Sequence, residues 1–364
     1  MCKAGAVSKD NSVDPKKVQL LRAARTDKGV HAAGNVVSIK LIVEDENIVT
    51  KINSHLPEQI RVWDYIETRK SFEAKNKCDS RVYEYLLPSY VFMPPTFREL
   101  KEKRESDTDL EISGRNDPTR YYITRSTDEQ LALKHAYRIN EKVYNKFKDA
   151  LAMFVGTHNF HNYTIRRDYA DISAKRYMIQ IDVRRENKSI GKTLTDCFKT
   201  SEPMVIQGME WLSVKLHGQS FMLHQIPMAL LAVRSNTPLS IIPKSFESTK
   251  INIPKAPALG LLLEQPVFGS YNKHVTEDGQ RQPIEFEKYK DQIDSFKKDW
   301  IYTKIFEDEK NNRVFDNFLL LLDSHIGPEF SYFNPEGIIP EEAIMTVGRS
   351  PAKNTISFDG DEAE

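Results

Sequence analysis

Three cysteines in 364 residues, Cys2, Cys78 and Cys197, are too scattered and odd in number for a disulfide framework. They fit a reducing compartment. No apolar run approaches the roughly 18 residues of a membrane helix, and residues 1–10 lack the apolar core of a secretory signal. Neither sign of charge is in excess: Lys plus Arg and Asp plus Glu number 52 each. Net charge therefore offers no argument for a nucleic-acid partner. No period of solenoid length repeats. What remains is a chain of 40% hydrophobic residues, long enough for two or three domains or one large one.

Charge is nevertheless concentrated locally. Arg166, Arg167, Lys175, Arg176, Arg184 and Arg185 follow one another with Tyr163, Tyr169 and Tyr177 among them. Cations interleaved with aromatics suit a phosphate backbone and unstacked bases, and equally the exposed edge of an ordinary sheet. Periodicity predicts strands over 36–43, 60–68, 81–87, 175–185, 210–216 and 259–263. In 175–185, Tyr177, Ile179, Ile181 and Val183 are expected on one face. Helices are predicted over 48–56, 138–154 and 289–306, and over 224–236 with an interruption near Pro227. Residues 1–16 and the charge-dense 98–120 read as unstructured, the latter as a surface insertion. Intermixed helices and alternating strands indicate an α+β fold.

The densest group of reactive side chains is "RAARTDKGVHAAGNVVSIKL", residues 22–41. Asp27 stands between Arg25-Thr26 and Lys28-Gly29, just before an extended segment. Gly29 permits a bend that other residues resist, and a bend there can present a carboxylate at a cleft mouth as nucleophile, base or ligand. Arg25 and Lys28 would favour the ionised form. Taken alone, Arg-Thr-Asp reads first as an Asp that caps or turns the chain and pairs with Arg. His158 and His161 in "HNFHNY" leave a bound zinc open, although no Cys or carboxylate stands at zinc-motif spacing nearby.

The whole stretch resembles the Arg-Thr-Asp-x-Gly-Val-His-Ala signature of the TruA-type tRNA pseudouridine synthases. Four further stretches resemble that family in the same order: "CDSRVYEYLLPSY", "FVGTHNFHNYT", "LHGQSFMLHQI" and "INIPKAPALGLLLEQPVF". Their details look like the eukaryotic, fungal-type branch. The resemblance implies a pseudouridine synthase fold of two related halves, whose antiparallel sheets join across a central basic cleft. It implies isomerisation of uridine in RNA, chiefly tRNA, with snRNA and mRNA as further substrates to consider, and no cofactor. Asp27 then matches the catalytic carboxylate. Tyr83 matches the Tyr that stacks on uracil, with Arg81 and Tyr85 on the same strand face. Arg25 matches the Arg that holds the extruded nucleotide. Arg166, Arg167, Lys175 and Arg176 would contact RNA. The family context makes the two histidines structural, implies a nuclear location with mitochondrion or cytoplasm as alternatives, and points to neither a membrane nor an obligate protein partner.

The resemblance departs in two places. The family's first strand–helix unit, upstream of the Asp motif, has no counterpart here. At His224-Gln225-Ile226-Pro227-Met228, Pro227 replaces the Arg that pairs with the catalytic Asp. A non-catalytic RNA-binding relative is therefore the alternative to an active enzyme. The expected division is a truncated N-terminal half over 1–134, a C-terminal half over 135–310, and an extension over 311–364 with an acidic tail.

Overall fold

The computed structural model describes residues 1–95, 126–164, 167–185, 204–219, 224–325 and 327–345. The expected insertion near 98–120 and the acidic tail lie outside the described residues. Strands are β1 (Leu21–Arg22), β2 (His31–Ala32), β3 (Val37–Ser38), β4 (Ser80–Pro88), β5 (Gly156–Asn159), β6 (Lys175–Arg184), β7 (Val205–Ile206), β8 (Met209–Gly218) and β9 (Leu261–Val267). The longer helices are α1 (Ile48–Ser54), α2 (Asp128–Ala136), α3 (Glu141–Ala152), α4 (Gln225–Arg234), α5 (Gly269–Asp278), α6 (Lys290–Phe296), α7 (Thr303–Asn312) and α8 (Val314–Ser324). The chain forms two compact units, 1–83 with 262–304, and 84–261 with 305–364. Residues 262–304 group with residues 1–83 in the first unit.

In the first unit the strand order is β2-β9-β4. β2 runs parallel to β9, with His31 opposite Leu262 and Ala32 opposite Leu263. β1 and β3 form a separate antiparallel pair, so the strand expected over 36–43 shortens to two residues. Residues 1–16 are not unstructured: Ala4 and Ala6 pack with Ile48 and Ile52 of α1. Burying each of those isoleucines contributes on the order of 1.5–3 kcal/mol.

The strand predicted over 60–68 is absent, for a local reason. The Asn53 side chain accepts the Val62 N–H at 2.8 Å and donates to the Val62 carbonyl at 2.9 Å. One amide satisfies the groups a neighbouring strand would have paired. The late helix predicted over 289–306 also changes character. After α6 the chain makes a π-helical turn, Lys297–Tyr302, which puts the Lys297 ammonium, almost wholly buried, on Glu264.

In the second unit the order is β4-β8-β6-β5, with β7 on β8, and β5–β6–β8 pair antiparallel. A bulge interrupts β6 between Met178 and Gln180. The extra residue reverses the alternation, so Tyr177 and Ile179 are exposed while Ile181 and Val183 turn half-buried. These four therefore do not share a face. α3 starts where Asn140 caps the Val143 N–H at 2.9 Å, and it buries Phe147, Ala150 and Leu151 as its spacing predicts. Trp211 is fully buried, 4.8 Å from Phe306 and 6.2 Å from Phe315 by ring centroid. Gly260 lets β9 begin against β4, since a Cβ there would lie 2.3 Å from the Leu86 carbonyl oxygen.

α4 runs without interruption through Pro227. Pro227 is its third residue, in the first turn. There a backbone N–H has no intrahelical partner to lose, and the carbonyl four residues back precedes the helix. The break expected at Pro227 does not occur.

Candidate active site

The Asp27 segment is a turn. The Val30 N–H donates to the Asp27 carbonyl at 3.1 Å, and Gly29 sits at φ +83°, the left-handed region that a side chain resists. Residues 25–29 are all exposed, so the turn holds the Asp27 carboxylate and the Arg25 guanidinium at the surface. The flanks are fixed: Ala23 N–H donates to Val36 O at 2.8 Å, and Asn35 Nδ2 to Ala24 O at 3.0 Å. Behind the turn β2 adds to β9, and Ala33 N–H extends the pairing to Leu263 O at 2.9 Å.

β4 supplies the second element of the site. Arg81 Nη2 donates to the Ala23 carbonyl at 2.8 Å and so ties β4 to the root of the Asp27 turn. Tyr83 is half-buried. Burial raises its hydroxyl above the ordinary phenol value. Arg81 opposes that shift, and Cys78 and Asp27 add to it. Asp27 is thus within electrostatic reach of Tyr83. The phenol stays neutral at physiological pH, able to stack and to donate a proton. Arg81, expected only as a cleft-lining cation, positions the loop. A long-range side chain–backbone bond of this kind leaves no periodic trace in sequence.

Tyr85, expected beside Tyr83 on the cleft face, is instead core of the second unit. It is 1% exposed, donates to Pro257 O at 2.9 Å, and stands edge-on to Phe315 at 6.2 Å.

The basic run is split by the second unit's structure. Arg166 lies outside the described residues. Arg167 is exposed and paired with Asp171 at 2.7 Å. Asp171 is held down to about 2, by its bond with Ser173 first and with Arg167 next. Lys175 is exposed and Arg176 half-buried; as neighbours on β6 they project to opposite sides. Tyr169 and Tyr177 are exposed, but Tyr163 is core, bonded to Ser245 Oγ at 2.5 Å. Lys250, which the sequence did not flag, donates to the carbonyls of His161 at 2.8 Å and Arg167 at 3.0 Å. It joins the backbone at His161 to the backbone at Arg167.

The histidines take structural places. His158 Nε2 lies 3.0 Å from Val155 O and its ring stacks on Phe246 at 4.3 Å. His161 is buried edge-on to Tyr169. Among the described residues, no three His, Cys, Asp or Glu side chains are grouped to hold a metal ion. Burial lowers His224 to about 4, so it is neutral, with Nδ1 2.8 Å from Ile253 O. Arg234 is engaged within the second unit. Its guanidinium, 4% exposed, is bound through both terminal nitrogens to Asp323, one bond at 2.7 Å. No helix among the described residues is long and apolar enough to cross a membrane.

Residues 150–269 match a family model described as tRNA pseudouridine synthase. The tRNA pseudouridine synthase 1 of Yarrowia lipolytica is 41% identical over 392 aligned positions, covering 93% of this chain and 71% of that protein. Its counterpart in Candida albicans is 39% identical, over 90% of this chain and 61% of that protein. The counterpart in Schizosaccharomyces pombe is 35% identical, over 92% of this chain and 79% of that protein. The chain thus spans between 61% and 79% of the length of these three relatives.

Proposed function

This chain belongs to the tRNA pseudouridine synthase family, and from that premise we propose that it isomerises uridines of tRNA to pseudouridine, with Asp27 as the catalytic carboxylate. The observation that carries the reading is the Asp27 turn, rooted by Arg81 and within electrostatic reach of a neutral Tyr83. The bond between ribose C1′ and uracil N1 breaks, the base rotates, and a bond from C1′ to C5 replaces it. C5 loses its proton and N1 gains one, so atoms balance and no redox partner or cofactor is called for. Asp27 acts on the target nucleoside. Tyr83 stacks on the uracil and supplies a hydroxyl for proton movement. Arg25, exposed two residues from Asp27, holds the nucleotide once it leaves its stack.

RNA is met by Arg167, Lys175 and Arg176, with the exposed Tyr169 and Tyr177 in the same stretch, and by Arg166 of the same run of sequence. The two-halves architecture with a basic cleft, and a nuclear location, rest on the same family membership. Pseudouridine formation on a tRNA transcript tests the reading, comparing the chain with Asp27→Ala and Asp27→Asn. The expected result is turnover in the parent and loss of at least about a thousandfold in both variants. A chain that binds tRNA with unchanged affinity but forms no pseudouridine would establish the non-catalytic alternative. Activity retained in Asp27→Ala would remove Asp27 from the chemistry.

A further inference from the structure

The first unit contains a groove of about 610 Å³ that none of the proposed catalytic or RNA-contacting residues lines. Its walls are α1 with the adjoining residues 61–63 on one side, and α6 with the π-helical turn on the other. That volume lies in the range of ligand-binding clefts. Two features give it a chemical character. One is aromatic: Trp63, Phe296 and Trp300 line it. Trp63 is held by a 3.0 Å bond from its indole N–H to Ala33 O and by an edge contact with Phe296 at 5.5 Å. The π turn, a rare geometry that recurs at functional sites, carries Trp300 into the wall. The other is anionic: Asp291 and Asp299, both exposed, border the same space. Arg61 also lines the space, with its Nη1 held by the carbonyls of Pro57 at 2.7 Å and Ile60 at 2.8 Å, so the lining keeps one net negative charge.

Fixed aromatic rings beside carboxylates select cations. The same carboxylates repel phosphate, so this is a poor surface for the RNA substrate. Asp291 on α6 and Asp299 on the π-helical turn are eight residues apart, at most about 12 Å along the axis because the wider π turn rises less per residue than an α-helix. That matches two side chains four residues apart on one face of an extended peptide, about 13 Å.

We propose that this groove docks an extended basic segment of a partner protein, with two Lys or Arg side chains spaced four residues apart against Trp63 and Trp300 and their charges met by Asp291 and Asp299. The probe is a capped Gly-Lys-Gly-Gly-Gly-Lys-Gly peptide titrated into the full chain while the indole N–H resonances are followed. The three tryptophans provide an internal reference, because Trp211 is fully buried in the other unit. Shifts are expected at Trp63 and Trp300 and not at Trp211. Asp291→Asn with Asp299→Asn should weaken binding about tenfold, and Trp300→Ala about threefold or more. Acetylating both lysines should abolish it, and pseudouridine formation should be unchanged in these variants. Equal binding of the acetylated peptide, or unchanged binding by the double carboxamide variant, overturns the proposal. So does spermidine binding as tightly as the peptide, which would make the groove a site for small cations.

Discussion

Glu309 offers a measurement that isolates one buried proton. It sits near the end of α7, is 4% exposed, and reaches over the start of α8. Oε2 accepts the Phe315 N–H at 2.8 Å, and Oε1 accepts the Tyr90 hydroxyl. The left-handed Arg313, φ +54°, turns the chain so that this reach is possible. Burial outweighs both bonds and raises the carboxyl to about 7, from 4.5. Below pH 4.5 the proton is bound in folded and unfolded chains alike, and its contribution is fully present. Between 4.5 and 7 the folded chain holds more protons than the unfolded one, so stability falls as pH rises through that window. At 1.36 kcal/mol per pKa unit, the loss amounts to about 3 kcal/mol above pH 7. Glu309→Gln removes the titration and keeps both bonds, with its carbonyl accepting from Phe315 and its amide donating to Tyr90. Urea unfolding of parent and variant at pH 5, 6, 7 and 8 is the assay. The variant should gain relative to the parent by about 2.5 kcal/mol from pH 5 to pH 8, since part of the window lies below pH 5. A stability difference that stays constant over that range would refute the argument that burial dominates at this carboxyl.

Three other outcomes follow from the same geometry. Arg234→Leu should cost about 3–5 kcal/mol by leaving Asp323 buried and unpaired, and Asp323→Leu added to it should recover most of that loss in denaturant melts. Gly29→Ala should cost about 1–2 kcal/mol from the positive φ. In steady-state assays it should lower kcat about ten- to a hundredfold, because the strain displaces Asp27. Lys250→Met should release the carbonyls of His161 and Arg167; tRNA affinity should fall about threefold or more, with Lys250→Arg partly restoring it.

Local chemistry was legible in the residues themselves. The Asp27 turn needs a glycine at its positive φ, and Gly29 is there. α3 has its Asn140 cap and its apolar stripe, and β4 and β8 were readable as strands, although β8 and the second half of β4 are buried on both faces rather than alternating. Motif order likewise pointed to the family. Tertiary structure decided what depends on a partner distant in sequence. Tyr83 and Tyr85 share a strand, yet burial made Tyr85 a core ring bonded to Pro257 and left Tyr83 half-buried, within electrostatic reach of Asp27. Tyr163 and Tyr177 stand in the same basic run, yet one lies under Phe246 and the other was turned outward on a bulged strand. Residues 60–68 alternate like a strand, but the Asn53 amide takes both backbone groups of Val62. Pro227 is destructive in a helix interior and harmless in a first turn, and only the folded chain fixes where that helix begins. Periodicity reports which side of an element is apolar. It carries no record of which distant donor, carbonyl or ring will meet that side, and those meetings set burial, charge and reach at the site.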